Sequence, residues 1–503
     1  MNLKLRWMKI GNIIAAALVI LTPFLSTQFL LKTLLNTDLS HFRLAQGDEI
    51  TYWQEINTFK AAGFHGGYFS MEELVAKLNY FHFGIHGPVF AVIMGSLARI
   101  FGWAQTSGPW FNMAFLSIAL LVFLLLTKPG LKSKLFLILA FLSVSAILFY
   151  IPSSMQESLI QALTIILAGV LIRLSRQKDN PAIVPILGLL TALVLSLLRV
   201  TWVLVFFPLI YLIRPKRNLK WLILSVAIAA ILSLLLVLIF SAWTSPYPYL
   251  FLYQLTHVEP FTVRRFLHFF VDHFIANCKD YVSLSSSMNS AEIVQRYTTL
   301  FVTAALGYFV YKKKYQFIVP LFILVSEILA TFAFNTVGTL GDLRILAPYL
   351  IISLLFLVVN LQSREVSAAL ILSLVFNLAL LPIFILNYQN VFVGTHFPKE
   401  AEGQQATSAA MATLTYQPGK DPWCNSILTD VNATPFLLSI QGGMGVNTIV
   451  FQDYLTPPIH SHYLYIDPER LPGLGLVSKV EVLAVEGNET LYAQTNDGCF
   501  PKP

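Results

Sequence analysis

A chain of 503 residues, of which 56% are apolar and only 12% charged, cannot clothe itself in an ordinary solvent-facing surface, because soluble domains carry about 25% charge. A mean hydropathy of +0.69 implies a surface that faces lipid. It excludes intrinsic disorder and a fibrous repeat, and three cysteines in the whole chain exclude a disulfide scaffold. The net charge of +7 does not gather into the basic groove that a nucleic acid would need, so no such partner is expected.

Charge is divided along the chain. Residues 1–387 carry 28 Lys and Arg against 15 Asp and Glu, whereas residues 388–503 carry 5 against 11. In the first part, apolar runs alternate with short charged clusters, and a run near 20 residues is what a ~30 Å hydrocarbon core demands. Beyond Asn387 no run is long enough to cross. Six clusters are basic: Lys4/Arg6/Lys9, Lys128/Lys132/Lys134, Arg173/Arg176/Lys178, Arg214/Lys216/Arg217/Lys220, Lys312/Lys313/Lys314 and Arg364. Lys and Arg concentrate in short cytoplasmic loops, which assigns all six to the cytoplasm together with the N-terminus.

Successive clusters on one side require an even number of crossings between them. Residues 33–108 then form one long external loop whose apolar part, Gly84 to Phe101, lies in or dips into the interface. By the same parity 183–213 splits into two short helices meeting outside near Leu198-Arg199-Val200. The reading predicts an all-α polytopic membrane domain over 1–387 with about eleven transmembrane helices, at roughly 10–31, 109–127, 135–151, 157–173, 183–197, 200–213, 221–240, 297–311, 316–334, 344–361 and 367–387. The first is read as an uncleaved anchor. An odd count leaves the C-terminal domain, 388–503, outside. Its Gly/Pro turns between short apolar runs predict a small α/β or β-rich module, in which Cys424 and Cys499 either form a bridge or remain two thiols. Its two sequons, Asn432-Ala-Thr434 and Asn488-Glu-Thr490, matter only in a eukaryotic host.

In chain order, the first notable polar stretch is Gln46 to Trp53, which contains the adjacent carboxylates Asp48 and Glu49. Adjacent residues cannot share a helix face, so at most one points at a given substrate while the other caps, pairs or binds a cation. A helix N-cap would use Gly47-Asp48 equally well. His82 and His86, four apart, line a donor cavity or an interface. Glu157 opens the fourth predicted span, where helix-start electrostatics alone favour a carboxylate. Arg199 and Arg344 fall at outer helix ends, at the depth of a lipid phosphate, where snorkelling arginines also sit. Glu327, in mid-span, must face the bundle interior or a wet cavity and is left out of the site. In the second external loop, 241–296, Arg264, Arg265, His268 and Asp272 form a polar stripe beside an aromatic remainder, the pattern of an interfacial helix rather than a metal site of His268, Asp272 and His273.

The acidic pair after the first span, the aromatics Tyr52 and Trp53, and the Gly-Pro-bearing apolar helix from His86 to Gly95, ending in Phe101-Gly102, resemble the first external loop of GT-C fold glycosyltransferases. These multi-span enzymes take sugars from polyprenyl-phosphate donors and include protein mannosyltransferases and the aminoarabinose transferases of lipid A. The resemblance continues through Ser153 to Ser158, Leu197-Leu-Arg199-Val-Thr and Leu343-Arg344 to Pro348. Two features depart from it: the usual Pro-Pro pair is Gly87-Pro88, and no Arg opens the second span at Gly108-Pro-Trp-Phe-Asn.

Transfer from a polyprenyl phosphate needs a carboxylate near the acceptor hydroxyl and cations on the departing phosphate, for which arginine's fork suits best. The resemblance implies Asp48 as base or orienting group. Glu49, Glu157, His86, Arg199 and Arg344 would be substrate-binding residues, and Asp48 with Glu49 a holder for a divalent cation such as Mg or Mn, with no other cofactor. It implies an inverting glycosyltransferase in a membrane, a bacterial plasma membrane being the expected setting. The partners would be a polyprenyl-phosphate sugar donor, membrane lipid, and an external glycan, lipid or protein acceptor. The donor already carries its phosphate, so no ATP is required. The alternatives are a lipid-linked glycan flippase or transporter with an external domain, or a polysaccharide polymerase or ligase; polar residues gathered at one side favour an enzyme over a conduit.

Overall fold

The computed structural model describes residues 3–42, 44, 48–65, 83, 86–176, 180–214, 218–244, 262–282, 290–334, 343–388, 414, 422–430, 447–451, 459–486, 489–495 and 497–499. His82 and the acceptor asparagines of both sequons lie outside them. In chain order the helices are α1 (Leu3–Phe29, continued by a π-helical Leu30–Leu34), α2 (Asp48–Ala62), α3 (Val89–Phe101), α4 (Ser107–Thr127), α5 (Leu131–Ser143), α6 (Ser145–Tyr150), α7 (Glu157–Arg176) and α8 (Ile183–Leu198). They continue with α9 (Phe206–Ile213), α10 (Leu219–Trp243), α11 (Val263–Val282), α12 (Ser290–Tyr311), α13 (Ile318–Phe334), α14 (Leu343–Val359) and α15 (Arg364–Tyr388). The chain divides into two compact units, one of Met1–His41, Gly108–Val237 and Leu250–Val393, the other of Phe42–Ser107, Leu238–Tyr249 and Gly394–Pro503.

The first unit is a helical membrane bundle. Among the described residues, six helical stretches are long and apolar enough to cross a membrane: Lys9–Leu34, Ser107–Thr127, Glu157–Arg176, Leu219–Phe240, Tyr315–Ala333 and Arg364–Ile383. The other five expected spans are helical too, but are shorter or less apolar than these six. The segment 135–151 breaks at Val144, whose extended backbone (φ −85°, ψ 96°) separates α5 from α6. The segment 200–213 opens with a 3-10 helix, Val200–Val205, before α9.

Burial sorts these helices. α7 is buried almost all round, from Glu157 to Leu174, and packs against α8, α9 and α14. α10 instead exposes Ile223, Ile231, Leu234 and Leu238, the surface of an apolar helix that meets lipid. Close approach in the bundle rests on small residues, since lipid offers helices no hydrophobic incentive to associate. A Cβ on Gly188 of α8 would meet Val170 of α7 at 2.8 Å, and one on Gly169 would meet Leu126 at 3.1 Å and Phe123 at 3.3 Å. α11 is amphipathic, as expected: Val263, Leu267, Val271 and Ile275 are exposed beside exposed Arg264, Arg265, His268 and Asp272. His268 pairs with Asp272 at 2.6 Å, and the His273 ring lies 2.9 Å from the side-chain amide of Asn277.

In the second unit α3 packs along α2. Gly95 permits the contact, because a Cβ there would meet Phe59 at 2.8 Å. Arg99 closes the C-terminus of α2 by donating from Nε to the Lys60 carbonyl (2.9 Å) and from Nη2 to that of Phe59 (2.8 Å). With 13 residues α3 rises only about 20 Å, too little to cross.

The C-terminal sheet has β1 (Ser426–Asp430), β2 (Asn447–Phe451), β3 (Tyr463–Ile466), β4 (Val480–Glu486) and β5 (Glu489–Gln494) in the order β2-β1-β3-β5-β4. β1 is parallel to both β2 and β3, and the β3-β5-β4 side is antiparallel. Alternate residues feed two cores. Ile427, Tyr463, Tyr465, Leu491 and Ala493 lie on one face, and Leu428, Leu464, Ile466 and Tyr492 on the other with Leu471, Leu474 and Leu476. Cys424 and Cys499 are joined as a disulfide across 75 residues, a loop length for which chain entropy gives about 4 kcal/mol.

Candidate functional site

The six candidate residues fall into two clusters, one in each compact unit. In the bundle, Glu157 is the first residue of α7 and is 2% exposed. The turn before it is clamped by Asn112 of α4, whose side-chain Nδ2 lies 3.3, 3.1 and 2.7 Å from the carbonyls of Tyr150, Ile151 and Ser153. Ser153 and Ser158 both donate to the Tyr150 carbonyl (2.7 and 2.9 Å). Gly108, at the start of α4, lets this turn come close, since a Cβ there would sit 2.3 Å from Ser154 Oγ. Nothing in the sequence linked Asn112 or Gly108 to Glu157; the link is tertiary.

Two arginines close on the carboxylate. Arg199 ends α8 in extended backbone (φ −150°, ψ 114°), which turns its side chain away from the helix. Its Nη2 lies 3.4 Å from Glu157 Oε1, and its Nη1 donates to the Arg344 carbonyl at 3.0 Å. Arg344, in the first turn of α14, places Nη1 3.9 Å from the same Oε1. One carboxylate thus faces two guanidiniums at the N-terminus of α7, whose unsatisfied N–H groups add partial positive charge. The arginine side chains are 18% and 23% exposed, so both are partly open to solvent.

Beneath Arg199 lies a group that sequence reasoning set aside. Glu327 of α13 is fully buried against the hydroxyls of Tyr349 and Thr201 and within the field of Arg199. Thr201 and Tyr349 are themselves hydrogen-bonded at 3.0 Å, and Tyr349 stacks against Trp202 at 4.5 Å. The mid-span carboxylate flagged Glu327 as interior; its partners come from α14 and the 3-10 segment and carry no sequence signal.

In the second unit Asp48 and Glu49 occupy the first turn of α2, where negative charge suits the helix end. They diverge: Glu49 is 3% exposed, while the Asp48 side chain is 31% exposed and places Oδ1 3.5 Å from His86 Nε2. The His86 ring lies 4.8 Å from that of Tyr52, which meets Phe90 edge-on at 5.2 Å. His86 is presented by Gly87, whose φ of +78° is closed to proline, and a Cβ there would meet Phe240 at 2.7 Å. This is the physical reason for glycine where the resembling family has Pro-Pro.

A divalent cation on Asp48 and Glu49 finds no third ligand clustered with them among the described residues. The one metal-type group there, His462, Asp497 and Cys499, includes a disulfide sulfur and so does not fit an ion; His462 Nδ1 instead pairs with Asp497 at 2.5 Å.

No protein-family model matches the chain, and no curated protein matches it by sequence. Among solved structures it is similar to ArnT from Cupriavidus metallidurans bound to undecaprenyl phosphate, at 12% identity over 98% of this chain and 99% of that one, with a TM-score of 0.48. It is also similar to the archaeal oligosaccharyltransferase AglB from Archaeoglobus fulgidus in complex with an inhibitory peptide and a dolichol-phosphate (12% identity, 100% and 75% covered, TM-score 0.49). A third likeness is to the Archaeoglobus fulgidus oligosaccharyltransferase in complex with Zn and sulfate (12% identity, 96% and 73% covered, TM-score 0.48).

Proposed function

We propose that this integral membrane protein is a glycosyltransferase of the GT-C kind, which moves a sugar with inversion from a polyprenyl-phosphate donor to an acceptor on the external face. Its N-terminus lies in the cytoplasm and its C-terminal domain outside. The observation that carries the reading is the Glu157–Arg199–Arg344 cluster, a preformed anion seat of two partly exposed guanidiniums held by one buried carboxylate at a helix N-terminus. A lipid phosphate is an anion of the kind such a seat takes, and it is the ligand class bound in the ArnT and AglB structures.

In the reaction the acceptor oxygen attacks the anomeric carbon from the face opposite the phosphate. The bond from that carbon to the phosphate oxygen breaks, and its electron pair stays on the lipid phosphate. Arg199 and Arg344 stabilise the charge that develops there, and Glu157 keeps both forks aimed. Asp48 takes the acceptor's proton while His86 holds its other oxygen in place. The phosphoester leaving group supplies the driving force, so no nucleotide is consumed.

The test is transfer from a short-chain polyprenyl-phosphate sugar by purified protein. Asp48→Asn should abolish turnover yet still bind the lipid phosphate, whereas Arg199→Gln should weaken donor binding by about tenfold. Full activity in Asp48→Asn would remove the base from the mechanism, and unchanged donor affinity in Arg199→Gln would remove the anion seat.

A further inference from the structure

The far ends of α4 and α7, remote from Glu157, enclose a second group of cations. A cavity of about 120 Å³ is lined by Leu126, Thr127, Lys128, Ile172, Arg173 and Arg176. Arg173 donates from Nε to Asn180 Oδ1 (3.2 Å) and from Nη1 to the Leu126 carbonyl (3.4 Å). Arg176 donates from Nη2 to the Val359 carbonyl (2.8 Å) and to Asn360 Oδ1 (3.0 Å). All four acceptors are neutral, so these bonds aim the guanidiniums without cancelling their charge, and each fork keeps three of its five N–H donors. Lys128 joins them from a left-handed backbone (φ +46°), a conformation that non-glycine residues seldom adopt.

Lys314 pairs with Glu365, and Lys134 donates to the carbonyl and side-chain oxygens of Asn12. No carboxylate among the described residues pairs with Lys128, Arg173 or Arg176. Helix-end electrostatics explains a cation at each terminus; it does not explain three around one cavity. Beside the cavity, α4 exposes Leu121 and Leu125, an apolar track along which an acyl chain can lie.

We propose that this cavity binds a phosphate anion, specifically the headgroup phosphate of an anionic lipid whose chains run along α4. The site is independent of the transfer reaction and stands or falls separately. Guanidinium forks hold phosphate bidentately, and basic pockets between membrane helices are suited to anionic headgroups.

The full-length protein in a neutral detergent is titrated with phosphatidylglycerol, phosphatidylcholine and inorganic phosphate, with lipid retention read by native mass spectrometry and stabilisation by thermal shift. Wild type should retain phosphatidylglycerol about tenfold more tightly than phosphatidylcholine, and Arg173→Gln/Arg176→Gln should lose that preference. Lys312→Gln, a basic residue outside the cavity, should keep it. A variant-sensitive shift with inorganic phosphate alone would support the anion site while overturning the lipid as its source. Equal behaviour of wild type and the double variant in every arm overturns the proposal, as does equal loss in Lys312→Gln. Lys128→Gln breaks none of the four capping bonds and decides the matter if the double variant fails to fold: weakened phosphatidylglycerol retention supports the site, and unchanged retention overturns it.

Discussion

Glu157 and Asp48 are both carboxylates in the first turn of a helix, and their surroundings make them different instruments. Glu157 is sealed at 2% exposure beside two guanidiniums, while the Asp48 side chain is 31% exposed and lies 3.5 Å from the His86 imidazole. In the proposed mechanism the first aims two guanidiniums, and the second, nearer to solvent, meets the acceptor hydroxyl. The contrast shows how environment, not residue type, divides structural from chemical duty.

The sharpest way to break this contrast is to remove each carboxylate. Asp48→Asn should lower turnover by about 10²- to 10⁴-fold, the usual contribution of a general base, and leave the melting temperature in detergent nearly unchanged. Glu157→Ala should do the reverse in kind. Two guanidiniums lose their common counter-ion, and stability should fall by roughly 3 kcal/mol, read as a large drop in melting temperature. If Asp48→Asn proved the less stable variant, the division of roles would be inverted.

A subtler probe leaves both carboxylates in place. Gly108→Ala puts a methyl group where Ser154 Oγ lies 2.3 Å away, so the turn that presents Glu157 must shift. Overpacking of this kind costs about 1–3 kcal/mol. Because the turn positions the anion seat, the donor KM should rise severalfold while kcat changes less; a change confined to kcat would show that this turn does not govern donor binding.

Much of the bundle was legible in the sequence because apolar length and basic clusters are local signals. All eleven expected segments are helical, and Glu327 declared itself interior by its position in mid-span. The break at Val144 was hidden, since no Gly or Pro marks it. It sits between Ser143 and Ser145, and the Ser143 hydroxyl bonds back to the Ala140 carbonyl, the local competition by which serine ends helices. The C-terminal domain could be read as α/β or β-rich because strand direction leaves no mark on a short apolar run; its sheet is mixed, parallel across β2-β1-β3 and antiparallel across β3-β5-β4. What joined Asn112 to the Glu157 turn, or Tyr349 to Glu327, was legible nowhere, because such contacts depend on how helices dock. Glu327→Gln tests the second of these. It keeps the shape but removes the carboxyl group that faces Arg199, and should weaken donor binding by a fewfold with stability nearly unchanged, since an amide oxygen can still accept from the Thr201 and Tyr349 hydroxyls.

The smallest effect is expected at His86, and it separates the two things that residue does. Its Nε2 lies 3.5 Å from a partly exposed Asp48 oxygen, and such a pair contributes under about 1 kcal/mol. Its ring also packs 4.8 Å from Tyr52, which is 1% exposed. His86→Gln retains a donor for Asp48 but loses the ring, whereas His86→Phe retains the ring and loses the donor. If His86 orients the base, His86→Phe should lose about three- to tenfold in kcat with an unchanged melting temperature, and His86→Gln should recover part of that rate at some cost in stability. A rate that followed ring packing instead, low in His86→Gln and normal in His86→Phe, would make His86 part of the α2 core and leave Asp48 to act without a positioning partner.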